Sequence, residues 1–571
     1  MTDLETLKSK DEAPSWMNEE SFETLSRGYL LEKETPKEAI KRIASCIATK
    51  LNRQELQVLF FEAIWKNWLC PASPIWANSG TERGLPISCN SIHIDDSVNS
   101  IFQKNHELAM LSKHGAGVGV YLGDIRGRGA NIKGNGKSEG LIPWIKVLET
   151  TTLAVSQGGT RKGASACYLP ITHPDYAEFL QIRRSTGDHN RRARNINIAS
   201  CINDSFMNDM LSGNKTNQQL WIETLRERVE NGEPYLFFDD NVARQRPEAY
   251  IKNNLDIKTS NLCNEIFLHT DKDHSFVCCL SSLNLDKFDE WYDYKFSNGM
   301  TLPELTTYFL DGILTEYIDK ISGKEGFDCA RRSAEKGRAI GIGVLGFHSL
   351  LQSKMLEFDS FDAMMLNSKI FKFLQDESKK ASRDLAKEFG EPEWCKGLDI
   401  RNTHTIAVAP TASNSIISGG ISAGIEPISS NCYSLKSAKG TFIRKNRDLE
   451  KLLTAYEANT VDVWAQIIKD NGSVKNVKQL SPVEKNVFLT ARELNQHSLI
   501  KLAAQRQKFI DQGQSVNLFF TSNANAKYIH EVHLEAWKQG LKGLYYLRSE
   551  TGLNGSDNEY KSVNECKACE A

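Results

Sequence analysis

The chain has no apolar run approaching the roughly 18 residues that a membrane-spanning helix needs, so no segment is expected to cross a bilayer. Its first residues, MTDLETLKSKDEAP, lack an apolar core and a cleavage pattern, so no secretory leader is expected. It lacks a surplus of either charge. Against 72 acidic side chains stand 70 basic ones, and a net charge of −2 argues against nucleic acid as a general partner. Cysteine is sparse, 13 in 571 residues, and odd in number, which excludes a secreted disulfide framework. These absences point to a reducing compartment, with the cytoplasm as the expected location. What is present is ordinary globular material, 40% hydrophobic and 25% charged, enough for several domains or one large barrel with attachments.

The stretch 260–285, SNLCNEIFLHTDKDHSFVCCLSSLNL, is the one around which the chain is organised. It sets Asn261, Cys263 and Glu265 at alternate positions, which in an extended segment would point their side chains the same way. An amide, a thiol and a carboxylate make a poor core. They suit an active site: the thiol for radical or nucleophilic work, the carboxylate for proton transfer, the amide to hold a hydroxyl. The bland alternative is that Cys263 is a buried small hydrophobe. Cys278 and Cys279 follow in a β-type run, VCCLSSLNL.

Upstream, residues 1–70 show apolar spacing of three and four, as in GYLLEKETPKEAIKRIASCIATKLN and QELQVLFFEAIWKNWL, and are expected to be helical until Pro71 and Pro74. PASPIWANSGTERGLPISCNSIHIDDSVNSIFQ reads as strands and loops, with Cys89 just before an alternating run. The glycines of HGAGVGVYLGDIRGRGANIKGNGK permit either a nucleotide site, with Arg126 as a donor, or tight connections in a barrel. A helix is expected over 141–157 and a short one with a basic end over 173–186. Arginines crowd the loop that follows, including Arg191, Arg192 and Arg194, and suit an anionic ligand or a solvated loop. An amphipathic helix over 204–232, a strand in EPYLFFDD, and helices over 302–322 and 326–337 come next.

Gly341, Gly343 and Gly346 spell the dinucleotide fingerprint, but a basic helix-like segment precedes them and no acidic strand end follows, so a Rossmann unit is not expected. A long helix over 361–389 leads to a strand, IAVAP, and a turn whose Ser413, Asn414 and Ser415 serve as an anion cradle or as ordinary caps. Ser481-Pro-Val-Glu484 is a capping box, with helix expected to about 512. QSVNLFF, a helix, and GLYYLRS form a βαβ-like order, in which strand geometry would turn Tyr545 and Tyr546 to opposite sides. The polar tail carries Cys566 and Cys569 as C-x-x-C, without the second ligand pair a structural zinc would need, and reads as a redox pair.

Together SPIWANSG, LPISC, the loop from Gly187, NLCNEI with VCCLSSLNL, PTASNS with GIEP, GLYYLRS and the final cysteine pair resemble, in order and spacing, the large catalytic subunit of class I ribonucleotide reductase. The resemblance implies a ten-stranded α/β barrel over 71–548 with a central finger loop, a small helical region over 1–70, and a flexible redox tail over 549–571. It implies ribonucleotide reduction to 2′-deoxyribonucleotides, with Cys263 as thiyl radical, Glu265 as proton acceptor and Asn261 as hydroxyl ligand. It pairs Cys89 with Cys278 as the reducing dithiol, Cys278 being preferred to Cys279 by alignment of LSSLNL. Cys566 and Cys569 would restore that pair and be reduced by a thioredoxin- or glutaredoxin-like partner. Tyr545 and Tyr546 would relay the radical as a stacked pair from a metal-containing small subunit, with no metal or permanent cofactor in this chain.

Further, the resemblance implies that Ser73, Ser88 and Thr411, Ala412, Ser413, Asn414, Ser415 grip substrate phosphates. Asp96 and Arg126 would bind an effector, ATP or a deoxynucleotide. The loop containing Gly187, Arg191, Arg192 and Arg194 would carry that signal to the substrate base, in an effector-dependent homodimer. The family's ATP-binding regulatory domain finds no room before the first helices, so no dATP shut-off through it is expected. Three other readings compete: an adenosylcobalamin-dependent reductase, which needs no tyrosine relay; a nucleotide-binding regulatory protein without catalysis; and a plain dithiol oxidoreductase using only the tail.

Overall fold

A computed structural model describes residues 3–134, 136–156, 162–437 and 440–550. The N-terminal region is helical, as its periodicity predicts, but in pieces: Leu4–Ser9, Glu19–Ser26, Pro36–Lys50 and Leu56–Trp65. The third begins only at Pro36, where Thr35 and Glu38 close a capping box that satisfies the first free N–H groups. Its apolar face meets the buried helix Leu302–Ile321 so closely that a Cβ on Gly312 would lie 2.6 Å from Ile47 Cγ2.

Thirteen strands occur among the described residues: β1 Leu69–Pro71, β2 Cys89–His93, β3 Gly117–Tyr121, β4 Ala164–Pro170, β5 Asn197–Ile202, β6 Tyr235–Phe238, β7 Phe276–Asn284, β8 Ile340–Leu345, β9 Cys432–Ser437, β10 Gly440–Lys445, β11 Leu518–Phe520, β12 Gly543–Leu544 and β13 Leu547–Ser549. Strands β2 to β6 are parallel in chain order, joined by helical crossovers. Strand β2 turns antiparallel to β7, which is parallel to β8 and antiparallel to β1. From β8 single parallel bridges lead through Ile406 and Val408 to Gln514, and that segment enters β11, parallel to β13. Strand β12 then pairs antiparallel with β6 and closes the ring. Counting 406–408, 514–520 and 543–549 as one member each, the described ring has ten members, the predicted α/β barrel. The expected IAVAP strand is reduced to those isolated bridges.

Other boundaries differ for local reasons. The segment 204–232 is two helices, Asp204–Leu211 and Lys215–Asn231, broken at Gly213 with φ 100° and restarted by the Asn214 cap. The helix expected over 173–186 is a single turn, Tyr176–Phe179. The capping box at Ser481 forms, but its helix stops at Val487 and a second, Gln496–Gln507, starts from Asn495. Gly341 and Gly343 lie inside β8, where a Cβ would stand 2.9 Å from Ala407 Cβ and 2.8 Å from Ala407 O respectively. They admit the neighbouring barrel segment, not a pyrophosphate, and only Gly346, with φ 82°, opens a helix. Residues 432–488 add the β9–β10 hairpin and helices around their own core, with Leu449, Leu453, Trp464, Ile467 and Phe488.

Candidate active site

The chain between Tyr250 and Phe276 threads the barrel interior. Glycines clear its way. A Cβ on Gly119 of β3 would lie 1.8 Å from Ser260 O, one on Gly117 3.0 Å from Leu262 Cβ, and one on Gly543 2.7 Å from Asn264 Nδ2. The glycine-rich run at 115–119 therefore serves close packing. At the tip the backbone turns and does not extend: Leu262, Cys263 and Asn264 form a turn, with Asn264 at φ 60°, a left-handed conformation asparagine tolerates. This corrects the alternating-strand expectation. An extended chain would separate residues 261 and 265 by about 13 Å. Here Asn261 Nδ2 donates to Glu265 Oε1 at 2.9 Å, and Asn261 Oδ1 accepts from the Glu265 and Ile266 N–H groups at 3.1 and 3.2 Å.

Residues the spacing did not reveal hold this tip. Ser515 Oγ donates to Cys263 O at 2.6 Å and lies 3.2 Å from Glu265 Oε2. Tyr168 donates to Asn261 O at 2.7 Å. Asn264 Nδ2 reaches Leu236 O and Leu544 O, each at 3.1 Å, on the closing strands β6 and β12. Asn261, Cys263 and Glu265 are all at most 2% exposed. Burial pushes the Glu265 carboxyl up to about 7, against the hydrogen bonds from Asn261, its own backbone and Ser515.

Strands β2, β7 and β6 and the connection between β12 and β13 add side chains to the cluster around Cys263. In the β2–β7 register Cys89 stands opposite Cys278, and both thiols share the interior cluster with Cys263. Directly opposed residues have Cα atoms about 4.5–5.5 Å apart, within disulfide range. Cys279 faces the other way, into the outer core. Burial holds the Cys278 thiol well above its ordinary pKa, although Gln512 Nε2 donates to its sulfur at 3.1 Å. The chain breaks between β12 and β13, so Tyr545 and Tyr546 do not face opposite sides. Their ring centroids are 4.3 Å apart, tilted 53°. The Tyr545 hydroxyl is hydrogen-bonded to the Cys263 thiol. Tyr235 on β6, not singled out from sequence, closes a third side, with centroids 4.7 Å from Tyr545 and 5.0 Å from Tyr546.

At the barrel's rim Ser73 and the turn 411–415 adjoin. Ser73 Oγ lies 3.4 Å from Asn414 Oδ1, and Asn414 Nδ2 donates to Pro71 O at 3.1 Å. Thr411 takes a left-handed φ of 54°, strained for a β-branched residue, and its Oγ1 accepts from Gly424 N at 2.7 Å. Ser413 and Ser415 are buried beside it, Ala412 half-buried, and Ser88 is buried just before Cys89.

Asp96 and Arg126 meet at the surface, Nε to Oδ2 2.7 Å, each about a third exposed. The arginine-rich loop is internally matched. Arg191 forks onto Glu178, Arg184 pairs with Glu227, and Arg192 and Arg194 donate to the Thr186 and Ser185 carbonyls at 2.8 and 2.7 Å. Gly187, at φ 98°, gives the Arg192 guanidinium room. Cys566 and Cys569 lie outside the described residues. Among the described residues, two groups have ligand atoms within 4.8 Å of one another, as a cation would need: His93, Asp95 and Asp124, and His269, Asp271 and His274. In both, the carboxylates already hold histidine N–H groups, and Lys258 also pairs with Asp124.

A closed α/β ring that carries a cysteine, a carboxylate and an amide on an internal loop, beside an opposed cysteine pair, defines a thiol-based barrel oxidoreductase. The comparisons carry this to a family. Residues 87–217, 213–399 and 393–547 match the ribonucleotide reductase barrel domain, and residues 16–84 its all-alpha domain. The chain is 33% identical over 632 residues to the ribonucleoside-diphosphate reductase large subunit of Invertebrate iridescent virus 3, covering 96% of this chain and 97% of that one. To the Arabidopsis thaliana large subunit it is 30% identical, with 93% and 76% covered. The solved Actinobacillus ureae class Id ribonucleotide reductase alpha subunit superposes with a TM-score of 0.87 at 41% identity, over 94% of this chain and 98% of that one. The chain belongs to the ribonucleotide reductase family, as a large subunit of the class I type.

Proposed function

We propose that the chain reduces ribonucleoside diphosphates to 2′-deoxyribonucleotides, with Cys263 as the thiyl radical. The observation that carries this is the buried meeting of Cys263 with the Tyr545 hydroxyl, the Glu265–Asn261 pair and the opposed Cys89 and Cys278. The thiyl radical takes hydrogen from the ribose 3′ carbon. Glu265 takes the 3′ hydroxyl proton while the 2′ hydroxyl leaves as water, and Asn261 holds the sugar oxygens. Cys89 and Cys278 supply two electrons and two protons and become a disulfide, and the Cys263 radical is regenerated when its hydrogen returns to C3′. A carboxyl near neutrality matches the working pH of a group that takes up and releases a proton.

Tyr546 and Tyr545 relay the radical from a metal-containing small subunit. Their contact with each other and with Cys263 supports a continuous route. Ser73, Ser88 and residues 411–415 hold the substrate phosphates; a strained Thr411 locked by Gly424 suits a fixed cradle. Asp96 and Arg126 take the effector. The helix Ile142–Val155 grips the loop that follows Gly187, Lys146 donating to the His189 and Arg192 carbonyls and Glu149 accepting from Asn195. That linkage supports passage of the effector signal to the substrate base. Cys566 and Cys569 re-reduce the Cys89–Cys278 pair and are recharged by a thioredoxin- or glutaredoxin-like protein in the cytoplasm. The working division is a helical region to about residue 70, a barrel to about 548, and the redox tail.

The test is deoxynucleotide formation from CDP with a dithiol reductant and ATP, with the small subunit from the same source or with adenosylcobalamin alone. Turnover with the small subunit, lost on Tyr545→Phe or Tyr546→Phe, is expected. Turnover with adenosylcobalamin alone would overturn the relay.

A further inference from the structure

The tyrosine pair is not held by apolar packing alone. Asn197 opens β5 just after the arginine-rich loop ends, and its Nδ2 lies 3.0 Å from the Tyr546 hydroxyl oxygen, 2.6 Å from that of Tyr235 and 2.6 Å from Glu233 Oε1. An amide nitrogen carries two hydrogens and here faces three acceptors, so the two phenols and the carboxylate compete for it. Glu233 is 2% exposed. Its Oε2 accepts from Ile198 N at 2.9 Å, and Arg183 Nη1 stands 3.3 Å from its Oε1.

The chain positions of these groups give the cluster its meaning. Arg183 lies on the shoulder before Gly187, and Asn197 on the shoulder after Asn195. Both converge on Glu233, which sits at the entrance to β6 beside Tyr235. The middle of the loop is gripped separately, by Lys146 and Glu149. A displacement of the loop that reaches its ends acts on this cluster from both shoulders. It moves Arg183 or Asn197, and with them the hydrogens shared among Glu233, Tyr235 and Tyr546.

We propose that Asn197 and Glu233 are positioning residues for Tyr546, fixing its hydroxyl and tying it to both ends of the Gly187–Asn195 loop. The state of the loop then sets the environment of the phenol. This rests on the relay reading for its consequence in catalysis, but the clamp itself is measurable without it.

The experiment places 3-nitrotyrosine at position 546 of the full chain and titrates its phenolate absorbance, with the same label at the exposed Tyr456 as a control. Asn197→Leu removes a donor to the phenolate oxygen, and the midpoint at 546 is expected to rise by about one unit, a tenfold change in ionisation. Glu233→Gln, nearly isosteric, removes a neighbouring negative charge, and the midpoint is expected to fall. Addition of CDP with ATP is expected to shift the midpoint in the parent chain and not in Asn197→Leu. The label at 456 should not respond; a variant that misfolds moves both. Unmoved midpoints at 546 in both variants would overturn the proposal. With the small subunit added, kcat for CDP should fall at unchanged KM. Shifted midpoints with an unchanged kcat would uphold the clamp and bring down the relay reading instead.

Discussion

Glu265 shows how a single residue ties stability to chemistry. Its carboxyl is fully buried, and its pKa rises from 4.5 to about 7 because burial disfavours the charge more than Asn261, the backbone and Ser515 favour it. The folded state therefore holds its proton more tightly than the unfolded chain. The stabilisation this gives is complete below about pH 4.5 and is lost as the pH climbs through 7, a swing of about 3 kcal/mol. Glu265→Gln should flatten that part of the stability profile in denaturant melts at pH 5 and pH 8, and should lower turnover by roughly 10²–10⁴-fold as a lost proton acceptor. The neighbouring cysteines separate by face. Cys278→Ser should abolish multiple turnovers with dithiol, because it removes the partner opposite Cys89. Cys279→Ser, in the outer core, should leave turnover in place and lower the melting temperature. Equal loss of turnover in the two variants would contradict the register.

At the scale of elements, the finger depends on what β3 omits. A Cβ on Gly119 would stand 1.8 Å from Ser260 O, a backbone atom that cannot swing aside as a side chain would. Gly119→Ala should therefore cost about 1–3 kcal/mol in denaturant unfolding and displace the tip enough to depress turnover. A neutral result would show that the loop shifts freely. Single strands, helices and caps were legible in the sequence because they are local, whereas the closed ten-membered ring was implied only by the family resemblance. The capping boxes at Thr35 and Ser481 form where the residues spell them, and the βαβ order near the C-terminus is present. The turn at 261–265 was less legible, because alternate spacing fits an extended strand and also a turn whose first and last side chains bond. Asn261, Cys263 and Glu265 stood out as an amide, a thiol and a carboxylate at alternate positions. Ser515, Tyr168, Asn197 and Tyr235 did not, because they meet the site across the barrel and leave no spacing near it in sequence. The break between β12 and β13 that brings Tyr545 against Tyr546 also escaped a strand-based reading.

At the scale of the whole molecule, the helices Val98–Lys113 and Ile142–Val155 pack on each other and leave Val98, Phe102 and Leu153 exposed by 62%, 51% and 52%. Asp96 lies just before the first of these helices, and the second grips the arginine-rich loop through Lys146 and Glu149. A second copy laid across this face would bury apolar surface beside the proposed effector site and connect effector binding and association to the loop. Single exposed apolar residues are common on monomers, but Val98 and Phe102 lie one turn apart on one helix face, and burial of such surface stabilises association by roughly 25 cal/mol per Å². Phe102 is 51% exposed and meets the Trp144 ring edge-on, with centroids 6.3 Å apart, so replacing it should leave the fold intact. In sedimentation velocity the parent chain is expected to shift from monomer toward dimer when ATP or a deoxynucleotide is added. Phe102→Glu would bring two carboxylates together across a two-fold contact, and the shift should be lost while the melting temperature stays within a degree or two. Dimerisation undiminished in Phe102→Glu would move the interface elsewhere on the barrel and detach the proposed effector pair Asp96–Arg126 from assembly.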